Sequence, residues 1–216
     1  MAKKQRKFSF KPEKIITPVG ALWWCFVQGD GRDQSEAEDG SKMQKLASIR
    51  FKTDSPECIA LKKQIDAAWD RFKAENTGIL KKGDVPKSLG YKVITNEEKE
   101  DTDETGFFFK TNSFFPNGKP NNIGLFDKKG NPLDLDEDTF IGNGSMGKIH
   151  GTIDAYEFKN SYGMTIYLKG IQIGKLIKST SGDISGDLSD MSDMFSDEDD
   201  EDYSTPNTMD DDDIPF

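Results

Sequence analysis

The sequence predicts a mainly β protein: a five- to six-stranded antiparallel Greek-key barrel with one inserted α-helix. Three observations lead there. Several segments alternate apolar and polar residues at the period of a half-buried strand. Only the segment after Ser55 repeats apolar residues at helical spacing, and strands stand on both sides of it. Alternation, rather than continuous apolar runs, argues antiparallel pairing. A two-sheet sandwich satisfies the same pattern.

VGALWWCFVQ, bounded by Pro18 and Gly29, reads as a strand rich in aromatic and β-branched residues. GDGRDQSEAEDGS has the composition of a loop. In KLASIRFKT, Ala47, Ile49 and Phe51 share one face, while Ser48, Arg50 and Lys52 share the other. The helix follows. Ser55 can cap it, Pro56 suits its first position, and Cys58, Leu61, Ile65, Ala68, Trp69 and Phe72 form its apolar stripe. Gly78 ends that pattern.

ITNEEKEDTDET shows no periodicity and is expected to be a charged, mobile loop. Strands resume with GFFFKTNSF, a short NIGLFD closing on a DKKGN turn, KIHGTIDAYEF and YGMTIYLKGIQI. NSYG reads as the hairpin turn between the last two. Gly151 and Ala155 on the apolar side of their strand suit the tight interior of a small barrel.

Charge divides the chain. Of its 39 acids, 14 lie in residues 179–216, which contain no Lys or Arg. The other 25 stand against all 29 basic residues, so a body of net +4 precedes a tail of net −14. Such a split points to a nucleic-acid contact, an acidic interaction tail, or both. Three parts follow: a basic N-terminal arm over 1–16, a folded domain over 17–178, and a tail over 179–216. The tail cannot bury enough apolar surface to fold alone, so it is expected to be disordered. The arm is either a frayed solubilising segment or a phosphate-seeking one.

The start MAKKQRKFSFK has no apolar signal core, and no run approaches membrane-span length, so a cytoplasmic protein is expected. Cys25 and Cys58, the only cysteines, then read as reduced, buried thiols.

Enzyme signals are sparse. His150 is the single histidine, so a zinc site with two His ligands is excluded. There is no Walker loop and no nucleophile elbow. LDLDED, with Asp134, Asp136, Glu137 and Asp138, could chelate a hard cation or form a solvated acidic loop. No catalytic residue, metal or cofactor is expected.

Binding signals are stronger. If Phe107 and Phe109 face inward, Phe108 and Lys110 face outward together. A ring that stacks on a base beside a cation that meets a phosphate is the arrangement a single-strand binder uses. Lys148 with Tyr156, and Tyr167 with Lys169, repeat the pairing, and Arg50 and Lys52 lie on a neighbouring polar face. The expected nucleic-acid contacts are therefore Arg50, Lys52, Phe108, Lys110, Lys148, Tyr156 and Lys169. The alternative for each aromatic is a two-sided core. Arginines are few and scattered, which disfavours base-edge reading of a duplex.

The ending Met209, Asp210, Asp211, Asp212, Asp213, Ile214, Pro215, Phe216 resembles the acidic C-terminal tip of bacterial single-stranded DNA-binding proteins. The resemblance implies a protein-binding hook: the Phe216 ring enters an apolar pocket on a partner, its carboxylate meets a basic residue there, and the aspartates steer. The body resembles bacteriophage single-stranded DNA-binding proteins, which are OB-folds with an inserted helix. PVGALWWCFV, KLASIRFK with its helix, GFFFKTNSF and IHGTIDAYEFKNSYGMTIYL carry that likeness.

The likeness implies a protein that coats single-stranded DNA in phage replication, recombination and repair, and recruits partner proteins through its tip. It also implies a tail that competes with DNA for the groove. An RNA-binding or RNA-chaperone barrel, an acidic chaperone of a basic protein, and a metal-dependent nuclease remain the alternatives. The sequence leaves the oligomeric state open.

Overall fold

The structure is a computed structural model that describes residues 8–35, 40–80, 84–136, 139–158 and 161–180. In chain order, its elements begin with β1 (Glu13–Ile16), β2 (Gly20–Phe26), β3 (Arg32–Asp33) and β4 (Met43–Lys52). The helix α1 (Pro56–Glu75) precedes β5 (Tyr91–Thr95), β6 (Asp101–Asn112), β7 (Gly124–Phe126) and β8 (Thr139–Ile141). The long strands β9 (Ser145–Phe158) and β10 (Ser161–Lys175) and the short β11 (Lys178–Thr180) complete it.

Five strands close a barrel in the order β9–β2–β4–β6–β10, with β10 pairing back onto β9. This is an OB-fold, with the helix inserted between its second and third barrel strands. Within the barrel one pair departs from the antiparallel expectation: β6 and β10 run parallel, with Ile166 opposite Phe109 and Tyr167 opposite Lys110, and outside the ring β7 also runs parallel to β10. A ring with an odd number of strands cannot alternate direction all the way round, so one pair must be parallel.

The interior follows from alternation. Ala47, Ile49 and Phe51 of β4, Phe107 and Phe109 of β6, and Ile149, Ile153 and Ala155 of β9 all belong to one buried cluster. Gly151 is required there, because a Cβ would stand 2.8 Å from the Phe109 ring. The helix joins the same cluster through the six residues of its stripe, Cys58, Leu61, Ile65, Ala68, Trp69 and Phe72. Ser55 caps it by accepting from the Cys58 amide at 3.2 Å. Both cysteines are free and buried, and burial pushes the Cys25 thiol up to about 12.

Two expectations need correcting. The segment read as a charged loop is a β-ribbon: β5 pairs antiparallel with β6 around a turn in which Asn96 Oδ1 accepts from the Glu100 amide at 2.8 Å. Both faces of its outer half are wet, so polar residues alternate with polar and no apolar period marks it. The segment read as an arm is tied to the body from Phe8 onward. Its last residues form β1 on the edge of β9, and Phe8 and Phe10 stack edge-on against Phe72 at 5.3 and 6.0 Å. Asn76, just past the helix, holds Ser9 through both its backbone groups.

Residues 1–7, 36–39, 81–83, 137–138 at the end of LDLDED, 159–160 and 181–216 lie outside the described residues. The expectations for the tip Asp210–Phe216 therefore have no structural counterpart. Among the described residues, no helix is long and apolar enough to cross a membrane. No group of three metal-ligating side chains occurs among them either.

Candidate nucleic-acid interface

Register sets the outer face of the barrel. Across β2, β4 and β6, one row holds Ala21, Arg50 and Gly106; the next holds Trp23, Ser48 and Phe108. A third holds Phe26, Leu46 and Lys110, and continues through Tyr167 of β10 to Thr152 of β9 and Lys14 of β1.

Alternation puts Trp23 on this face, and a bulge in β2 keeps Trp24 out of the core and turns Phe26 outward. Leu22 and Cys25 are both buried although three residues apart, so the ladder loses register between Trp23 and Phe26. The extra residue is Trp24, whose φ of 54° lies in the left-handed region that bulky residues seldom adopt. Its amide donates to Asn143 Oδ1 at 2.9 Å, and the Ser48 hydroxyl donates to the Trp23 carbonyl at 2.9 Å. Those bonds fix the bulge and hold the Trp23 backbone.

The Arg50 guanidinium lies over the Trp23 ring, 3.8 Å from its centroid. Its Nη1 stands 3.6 Å from Glu104 Oε2 on β6. Burial lowers the Arg50 pKa, and Glu104 opposes that shift. Two donors in this stack, Trp23 Nε1 and Arg50 Nε, are buried and have no acceptor among the described residues. Unmet buried donors are costly, and a ligand oxygen can relieve them once Arg50 moves. Beside them, Arg32 lies over the Phe26 ring at 5.3 Å.

The seven expected contact residues divide. Arg50, Lys52, Phe108 and Lys110 share the β4–β6 face. Phe108 points outward as alternation requires, yet it is only 9% exposed and cannot stand free as a stacking platform. Lys110 is half-buried, and its pKa is lowered first by burial and then by Lys42. Lys52 is exposed and faces Asp103 at 3.8 Å.

Lys148, Tyr156 and Lys169 belong to β9 and β10. Lys148 stands opposite Gln172 and Tyr156 opposite Gly163, far apart along the same strand. The Tyr156 hydroxyl has its pKa raised by burial, with Ser88 opposing. Lys169 sits in a bulge of β10 and is exposed.

Trp23 and Phe26 were not among the expected contacts. The signal for them was the run LWWCFV, in which strict alternation would bury Trp24. Only a bulge reconciles that run with two tryptophans outside the core.

No family model and no curated protein sequence matches the chain. Solved structures do. The chain is similar to gp2.5, a single-stranded DNA-binding protein encoded by bacteriophage T7, with a TM-score of 0.54 and 16% identity over 91% of this chain and 100% of that one. It is similar to the single-stranded DNA-binding protein from bacteriophage Enc34 in complex with ssDNA, at 0.55 and 16% over 78% and 89%. The barrel has the fold of these phage proteins. At such identity the likeness carries over the architecture, and individual contacts rest on the geometry above.

Proposed function

We propose that this chain binds single-stranded DNA without strong sequence preference, coating it during phage DNA replication, recombination and repair. The observation that carries the reading is the Arg50–Trp23 stack, set beside Phe26 and Lys110 on the outer face of an OB barrel. Rings offer every base a stacking surface, and cations between them meet the phosphates. Arg50 covers Trp23 in the free protein, so a base reaches that ring by displacing the guanidinium, which then takes a phosphate. Lys52 and Lys110 add charge on the same β4–β6 face. The fold shared with two phage single-stranded DNA-binding proteins supports this reading. So does the net charge of +4 on residues 1–178.

The reading requires no catalytic step. The tail recruits replication, recombination and repair proteins through Asp210–Phe216, the ring and carboxylate of Phe216 serving as the hook. The test is oligo-dT binding by the full chain across a salt series. Affinity that falls steeply with salt, and collapses in Trp23→Ala, is the expected outcome. Absence of binding in dilute buffer would refute the reading.

A further inference from the structure

On the side of the barrel formed by β1, β9 and β10 lies an open depression of about 360 Å³, lined by Lys14, Phe126, His150, Gly151, Thr152, Lys169 and Gly170. The Phe126 ring in it packs on glycine backbone. Gly170 and Gly124 face the Phe126 ring so closely that a Cβ on either would stand 3.4 or 2.8 Å from Cε2. The ring is half-buried against that glycine pair.

Cations surround it. Lys14 and Lys169 are exposed, and neither has an ion-pair partner among the described residues. The β10 bulge at Lys169 releases that side chain from the ladder. Burial, then Lys14 and Lys148, hold the His150 imidazole below its usual pKa. A neutral imidazole there can donate to or accept from a base edge.

We propose that this depression is a second nucleotide subsite, in which Phe126 stacks a base while Lys14 and Lys169 hold the flanking phosphates. It rests on the single-strand reading above and extends it. The third outer row supplies the path: Lys110, Tyr167 and Thr152 stand on adjacent strands, so two inter-strand steps, about 10 Å, separate the first face from the depression. A strand leaving Lys110 passes Tyr167 and enters it. The bound strand then wraps round the barrel, and its occluded length exceeds what one face covers.

The experiment varies oligonucleotide length. Labelled oligo-dT of about 6 and about 16 nucleotides, bracketing the span one OB barrel covers, is titrated against the full chain by anisotropy. The expected result for Lys14→Ala/Lys169→Ala is unchanged binding of the short strand. Binding of the long strand weakens at least about tenfold, and its log–log salt slope shrinks by about 1.4. Phe126→Leu keeps the bulk and loses the stack; it should weaken the long strand alone, by about fivefold or more.

Lys62→Ala/Lys63→Ala, on the helix, removes the same charge elsewhere and should spare both strands. Equal loss at both lengths, or loss in neither, overturns the subsite. If the wild-type chain binds neither strand, the single-strand reading itself fails, which is a distinct result.

Discussion

Glu104→Gln tests whether Arg50 is held away from DNA in the free protein. Glu104 Oε2 lies 3.6 Å from Arg50 Nη1, and their side chains are 39% and 13% exposed. At 3.6 Å the pair is longer than a good charge-assisted hydrogen bond, and one member reaches solvent. Its worth therefore falls near the top of the exposed range, about 1 kcal/mol. DNA must break that pair to move Arg50 onto a phosphate. Removing the charge while keeping the shape should tighten oligo-dT binding by about fivefold.

Glu100→Gln, in the turn of the same ribbon, makes the identical change in net charge without touching Arg50, so the ratio between the two variants isolates the contact. The assay is anisotropy at fixed salt, with Trp fluorescence read alongside. A Glu104→Gln protein that binds no more tightly than Glu100→Gln, or binds more weakly, refutes the reasoning. Weaker binding would mean that Glu104 aims Arg50 at the strand.

Asn76→Ala should cost about 2 kcal/mol, because the Ser9 amide and carbonyl lose partners at 2.9 and 2.7 Å in a part-buried site. Denaturant midpoints and faster hydrogen exchange at Ser9 measure it, and wild-type stability with a protected Ser9 amide refutes it. His150 has a folded-state pKa below its ordinary 6.5, so the unfolded chain takes up a proton first as pH falls. Stability therefore drops below about pH 6.5, and His150→Gln should remove part of that drop in melts run between about pH 5 and 7. Cys25, with its thiol pushed up to about 12, and buried Cys58 should not react with a thiol reagent until the protein is unfolded; fast labelling of the native chain would contradict that burial.

Much of the fold was legible. The helix stripe from Cys58 to Phe72 is the buried set residue for residue, since helical spacing and burial are one geometric fact. Strands with one dry face declared themselves by alternation, as in Ala47, Ile49 and Phe51. What escaped was set by pairing rather than by period. The β5–β6 ribbon has no dry face over its outer half, so nothing in ITNEEKEDTDET could mark it. The site was harder still. Alternation correctly sent Phe108 outward but could not say that neighbours would cover it. Phe26 reached the outer rows through a one-residue bulge, and the Phe126 ring lies against Gly124 and Gly170, 46 positions apart on adjacent strands, which no local pattern announces.

Net charge gives the last constraint on the interface. A body of +4 is a weak attractant for a polyanion if its charges are mixed evenly. They are not. Asn96–Glu104 contains six acids and one Lys, so the rest of residues 1–178 is +9. That segment is the turn and first strand half of the β5–β6 ribbon, which continues past the last β4 pairing at Lys52 and Glu104. Extending a two-stranded ribbon there collects carboxylates at one end of the fold and leaves the barrel rows cationic. Only Asp103 and Glu104 turn back to meet Lys52 and Arg50. The ribbon thus both concentrates positive charge on the barrel and neutralises the two cations nearest to it. Neutralising Glu97, Glu98 and Glu100 together should raise affinity only through a long-range field, an effect lost within a Debye length of about 8 Å at physiological salt. The gain from Glu104→Gln should outlast that screening, because a contact pair is shielded far less than a distant one.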